Sequence, residues 1–340
     1  MTDTLIWSAV VAVATIAVVW GMDAAARHRS AGFRHAMWAG AMASLALTPG
    51  LLAVAAWAAS RPGVASIPAP SWTPAEPAAA SGVPWLVVAW AIPAALLAAR
   101  SVVGWILAAG IARRATPVGD HGWREEAAAS ARRLGLTRTP PLAVAEGIPG
   151  PAVVGILRPV VLMPPSALNA PATVRRAILD HELAHVGRGD VLLTRVSALA
   201  RALHWYNPLV WWSGTRLDLT AECACDERVV RGGVSVGEYA RILAQAVGAP
   251  PATPLLAGAG FGTAPVVKRL EALVSRRHRA PAPRDRWFFV AAMVLALAPL
   301  AVASATLVGR QDDEQVLVLP EGATFTFAEG GGPAVGVRRE

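Results

Sequence analysis

Ile178-Leu179-Asp180-His181-Glu182-Leu183-Ala184-His185-Val186 decides the reading of this chain. Two histidines four residues apart share one face of a helix, so both imidazoles can reach a single tetrahedral Zn²⁺. Glu182 stands one position on, beside such a metal but not bonded to it, where it can take a proton from an attacking water. The surroundings favour a helix. Asn169 and Pro171 read as an N-cap and an early helical proline, and Val174, Ile178, Leu179, Leu183 and Val186 recur at helical spacing. Gly187 and Gly189 stop the helix, and Asp190 is placed to cap the next one.

Outward from that helix the chain is unusually apolar. Of 340 residues, 54% are hydrophobic and 16% charged, and the mean hydropathy is +0.45. That composition points to membrane spans. The formal charge is +8, but the arginines stand beside apolar runs, which fits membrane orientation better than nucleic-acid binding. The two cysteines, Cys223 and Cys225, are too close in sequence for an ordinary disulfide and fit a reducing, cytosolic setting.

Four apolar runs read as spans: Leu5–Gly21, Met37–Ala59, Trp85–Ile111 and Trp287–Val308. The first precedes Arg27, Arg29 and Arg34, the third ends at Arg113-Arg114, and the fourth follows Arg276, Arg277, Arg279, Arg284 and Arg286. A signal peptide carries its charges before the apolar run, so the first run is a span and not a leader. With every basic loop on one side, both termini lie outside and the segment containing His181 lies in the cytoplasm. Pro49 and Pro93 sit inside spans, where a bundle tolerates a bend. The Pro/Ala/Ser-rich stretch 61–84 is an outer loop, and 310–340 is a short extracytoplasmic tail.

The expected fold is therefore an α-helical polytopic membrane protein of four spans. Residues 1–111 form the three-span region. A cytoplasmic α+β, zincin-like domain occupies 112–286, and the last span occupies 287–309. Within that domain Trp123–Leu134 reads as an amphipathic helix and Pro141–Ala145 as a strand. Ala152–Met163 reads as two strands broken at Leu157-Arg158-Pro159, a sheet edge of the kind on which an extended substrate can be held. Val191–Trp212 is apolar but interrupted by Arg195 and Arg201, and reads as a buried helix or one lying on the bilayer. Thr215–Arg231, Tyr239–Val247 and Val266–Val274 read as further helices.

A catalytic zinc takes three protein ligands and leaves one position for water. Downstream of His181 and His185 the candidates are Glu222, Asp226, Cys223, Cys225 and His204. In one economical scheme Glu222 binds the metal, and Asp226, one turn on, accepts the other ring N–H of a ligand histidine. Candidate oxyanion donors are His204, Tyr206 and Arg231.

The segments Ile156–Pro164 (ILRPVVLMP), His181–His185 (HELAH), His204–Trp212 (HWYNPLVWW) and Glu222–Val230 (ECACDERVV) resemble, in this order, the BlaR/MecR family of membrane-anchored zinc metallopeptidases. The resemblance implies that His181, His185 and Glu222 ligate Zn²⁺, that Glu182 is the catalytic base and acid, and that Asp226 supports a ligand. Cys225 matches the family's Cys-Asp pair, whereas Cys223 has no match. It also implies transmembrane signalling in which the peptidase cleaves a cytoplasmic protein, a DNA-binding repressor, with self-cleavage near Arg276-Arg277 as a second route. The large penicillin-sensing domain that some members carry after the fourth span has no counterpart here, which leaves the stimulus open. Two rival readings are a quality-control membrane protease of the HtpX/Ste24 type and a non-catalytic receptor or scaffold holding structural zinc. The intact Glu182 speaks against the second.

Overall fold

The computed structural model describes residues 2–59, 85–245 and 266–275, with two short strands at 326–327 and 333–334. The expected outer loop 61–84, the fourth span 287–309, Arg276-Arg277 and most of the tail lie outside the described residues.

Among the described residues, three helices are long and apolar enough to cross a membrane: α1 (Thr2–Ala25), α2 (Ala31–Ala59) and α3 (Trp85–Arg114). α2 starts six residues before the apolar run that signals it. Its first turn is capped twice: Ser30 Oγ accepts the N–H of Phe33 at 3.2 Å, and the Glu227 carboxylate accepts that of Ala31 at 3.0 Å. α2 continues through Pro49, which has no N–H and so frees the carbonyl of Leu45. Nε2 of His204 stands 3.0 Å from that oxygen and satisfies it.

The stretch Val191–Trp212 is not one helix. α6 (Asp190–Leu203) ends before Asn207, whose side chain accepts the N–H of Leu209 and caps α7 (Pro208–Arg231) with Pro208 in its first turn. α7 is thus a single 24-residue helix that begins upstream of the expected Thr215. Trp212 on α7 meets Trp38 on α2 edge to face at 5.3 Å between centroids. Trp90 of α3 donates to the carbonyl of Leu203, and Trp205 donates to the carbonyl of Trp90, so α3 is tied to the α6–α7 corner by two reciprocal indole bonds.

The α+β part is small. β1 (Thr116–Pro117), β2 (Leu142–Val144), β3 (Ala152–Val154) and β4 (Val160–Met163) form one sheet in the order β1-β2-β4-β3, with β2 parallel to β4 and the other pairs antiparallel. β3 is therefore an edge strand, hairpinned to β4 with Ala152 opposite Leu162. The turn needs Gly155: its φ is +98°, and a Cβ there would stand 2.5 Å from the Arg158 carbonyl oxygen.

α4 (His121–Arg133) and α5 (Ala172–Arg188) pack on this sheet. Leu179 and Leu183 of α5 are fully buried against Trp123, Leu142, Val161 and Met163. Burying each such side chain stabilises the fold by about 1.5–3 kcal/mol, which fixes the rotation of α5. α8 (Val236–Gln245) and α9 (Val266–Ser275) cover α7 through Val229, Val230, Tyr239, Leu243 and Leu273.

Candidate metal centre

The rotation that buries Leu179 and Leu183 turns His181 and His185 toward α7. α5 starts at Ala172 with Pro171 in the cap position and no side-chain cap, so Asn169 does not cap it. It ends on Gly189, left-handed at φ +70°, and α6 begins at the next residue. That immediate restart puts Asp190 inside the first turn of α6 and not at its N-cap, which frees its carboxylate for other partners.

Nε2 of His181 and Nε2 of His185 are 3.3 Å apart. One Glu222 oxygen lies 3.3 Å from the first and the other lies 3.6 Å from the second. Donors at about 2.0–2.2 Å from a tetrahedral Zn²⁺ are about 3.3–3.6 Å from one another, and the two histidines and the Glu222 carboxylate, which turns one oxygen to each ring, stand at that spacing. The opposite ring nitrogens are held from behind. Nδ1 of His185 donates to Asp190 at 2.7 Å. Nδ1 of His181 meets the Tyr239 hydroxyl at 3.0 Å and Asp226 at 3.3 Å, and Tyr239 donates to Asp226 at 2.7 Å. Both imidazoles are thereby oriented with Nε2 toward Glu222.

Arg269 of α9 closes the cluster. Its guanidinium grips Asp226 through Nε and Nη2 at 2.9 and 2.6 Å, and Nη1 lies 3.0 Å from Glu222. Arg188 binds Asp190, the Ala221 carbonyl at 3.0 Å and Cys225 Sγ at 3.1 Å. Cys225 forms a looser triangle with the two histidines, with donor atoms within 4.8 Å of one another. Glu222 and Cys225 are thus two candidates for a third donor: the Glu222 oxygens stand 3.3 and 3.6 Å from the two Nε2 atoms, and the Cys225 sulfur also faces Arg188. Neither cysteine is in a disulfide, and both are buried.

Charge follows from this packing. Burial disfavours the His181 cation, but Cys225, Asp226 and Glu222 outweigh it and lift its pKa to about 10. His185 is raised likewise against burial, by Cys225, Asp190 and Glu222. Burial opposes the Glu222 carboxylate, yet the His181 bond and the Arg269 charge bring it down to about 2. Asp190 and Asp226 are held below the usual carboxylate range despite burial, by His185 and His35 in one case and Arg269 and His181 in the other. The centre is a ring of ionised carboxylates around two histidines, a donor set suited to a divalent cation.

Glu182 follows His181 on α5 and is 8% exposed. Its carboxylate makes no hydrogen bond or ion pair among the described residues. The three candidate oxyanion donors have other surroundings. His204 serves the Leu45 carbonyl, Tyr206 stands beside His204 with ring centroids 6.2 Å apart, and Arg231 pairs with Glu227 at 3.2 Å. A cavity of about 780 Å³ is lined by Arg216, Asp226, Glu227 and Arg269 but by neither His181 nor His185, so it opens behind the centre.

Asp190, Tyr239 and Arg269 were not legible as site residues. Arg269 carried a signal: it stands on the same helical stripe as Val266, Leu270 and Leu273, where a lone cation needs a buried partner.

A family model described as BlaR1 peptidase M56 matches residues 3–273. The chain is also 31% identical over 84 residues to a protein of Bacillus licheniformis named regulatory protein BlaR1. That alignment takes in 25% of this chain and 14% of the relative's length.

Proposed function

From the premise that the chain belongs to the BlaR1 peptidase M56 family, we propose that it is a zinc-dependent membrane endopeptidase that works in transmembrane signalling. The observation that carries this reading is the Nε2–Nε2–carboxylate triangle of His181, His185 and Glu222, with Glu182 beside it. When bound, Zn²⁺ supplies Lewis acidity, polarising a peptide carbonyl and acidifying water. His181, His185 and Glu222 hold it, and Asp226 and Asp190 keep each ring's Nε2 turned inward. Glu182 takes the proton of the attacking water and delivers it to the leaving amine. The open edge of β3, packed beside α5, offers backbone groups to an extended substrate.

The substrate we infer is a cytoplasmic protein, with a DNA-binding repressor favoured because the Bacillus licheniformis relative is named a regulatory protein. The basic loop between α1 and α2 and the Arg113-Arg114 end of α3 support a cytoplasmic position for the centre. The test compares the wild type with Glu182→Ala, each as the full chain in lipid nanodiscs. The variant is expected to keep one zinc per chain and to lose all cleavage of an added repressor or of the chain itself. Cleavage at the wild-type rate by the variant would reject the assignment.

A further inference from the structure

His35 belongs to α2, a helix apolar enough to cross a membrane, yet it takes part in the centre described above. It is 3% exposed, and its neighbours lie outside α2 on both sides of the ring. Nε2 stands 3.2 Å from Asp190 Oδ1, at ion-pair distance but out of line for a hydrogen bond, and Nδ1 stands 3.4 Å from the carbonyl oxygen of Leu217 on α7. The other Asp190 oxygen, Oδ2, is the one that receives Nδ1–H of His185. One carboxylate is therefore shared by two histidines, one from a membrane helix and one from the zinc triangle.

The sharing has a mechanical meaning. A carboxylate is planar, so fixing Oδ1 fixes the direction in which Oδ2 points. Arg188 reaches the same carboxylate from the α5 side, and His35 approaches it from α2. The position of α2 is itself set at its first residue, where Glu227 accepts the Ala31 N–H. Asp190 is buried at 7% exposure, so water does not readily replace a lost partner.

We propose that His35 is a positioning residue for the metal centre, carrying the seating of membrane helix α2 to His185 through Asp190. It rests on the reading of His181, His185 and Glu222 as metal ligands. It gives that site a route by which an event in the membrane alters metal coordination, because a shift of α2 at His35 changes what Asp190 meets.

The test measures metal affinity and not proteolysis. Full-length wild type, His35→Ala, His35→Phe and His35→Gln in nanodiscs are stripped of metal and titrated with Zn²⁺ against a chromophoric chelator. Outer partners of metal-binding histidines typically change affinity by about 10–100-fold, and His35, one step further out, is expected at the lower end, about tenfold, for Ala and for Phe. Phe keeps the ring's volume, so a loss shared with Ala is not a packing defect. Gln restores a donor and is expected to recover most of the affinity. In an Asp190→Ala background, His35→Phe is expected to add no further loss. Wild-type affinity in both His35→Ala and His35→Phe overturns the inference, as does an undiminished loss in the Asp190→Ala background. A wild type that takes up no Zn²⁺ instead removes the metal reading itself.

Discussion

The Tyr239 hydroxyl lies 3.0 Å from Nδ1 of His181. Because that hydroxyl donates onward to Asp226, Nδ1 of His181 is the donor, and the Nε2 proton is the one the ring gives up when it becomes neutral. A phenol on α8 thus sets the tautomer of a histidine on α5, and Tyr239→Phe should make the ring rely on Asp226 alone at 3.3 Å. The expected result is a loss of about 1 kcal/mol in stability and a several-fold weaker hold on zinc, measured by thermal unfolding and chelator competition. Unchanged zinc affinity would assign Tyr239 to packing only.

Glu222 and Cys225 compete for the third ligand position, and cobalt separates them. Co²⁺-loaded wild type should show tetrahedral d–d bands without a thiolate charge-transfer band. Cys225→Ser should keep full metal stoichiometry, whereas Glu222→Gln should lower affinity at least about 100-fold, since it replaces an ionised ligand by a neutral one. An intense near-ultraviolet band that disappears in Cys225→Ser would exchange the roles.

Metal uptake should release protons. In the metal-free protein His181 titrates at about 10, so it is protonated at pH 7 and must shed that proton to bind. Titration calorimetry in two buffers of different ionisation enthalpy should show close to one or two protons released per zinc near pH 7, with affinity rising as pH rises toward 10. The sign for stability is opposite. A folded pKa above the unfolded value of about 6.5 stabilises the metal-free fold fully below pH 6.5, and that contribution fades as pH climbs through 10. Melting temperatures of the metal-free protein at pH 6 and pH 9 should differ in that direction.

Gly155→Ala should damage the edge strand without touching the metal. Its positive φ and the 2.5 Å approach to Arg158 O are expected to cost about 1–3 kcal/mol. Zinc affinity should remain at the wild-type level while cleavage of a protein substrate falls. Equal losses of both would mean that the hairpin supports the centre and not the substrate.

The helix 172–188, the hairpin and the common helical face of Glu222 and Asp226 were legible because each follows from local spacing. The partners from elsewhere were not. Arg269 meets Asp226 across 43 residues and Tyr239 meets His181 across 58, and no periodicity encodes such distances. Asp190 was misread for a different reason. An aspartate after a glycine is the ordinary mark of an N-cap, and only the immediate restart of the chain as α6 shows it one position too late. The early start of α2 likewise depends on Glu227, 196 residues away. His204 looked like a chemical group because it is a histidine near Glu222 in sequence, yet its placement follows from the carbonyl that Pro49 leaves free.

α7 runs unbroken from Pro208 to Arg231, with Trp212 against α2 at one end and Glu222, about 15 Å further along, at the histidines. A rod of that kind cannot be cut between its two duties. Starting the gene after α3 to obtain a water-soluble fragment would keep all of α7 but remove the α2 surface on which its Trp212 end packs, and the product should precipitate or bind metal poorly. Biochemistry on this molecule therefore belongs in detergent or lipid from the first purification step.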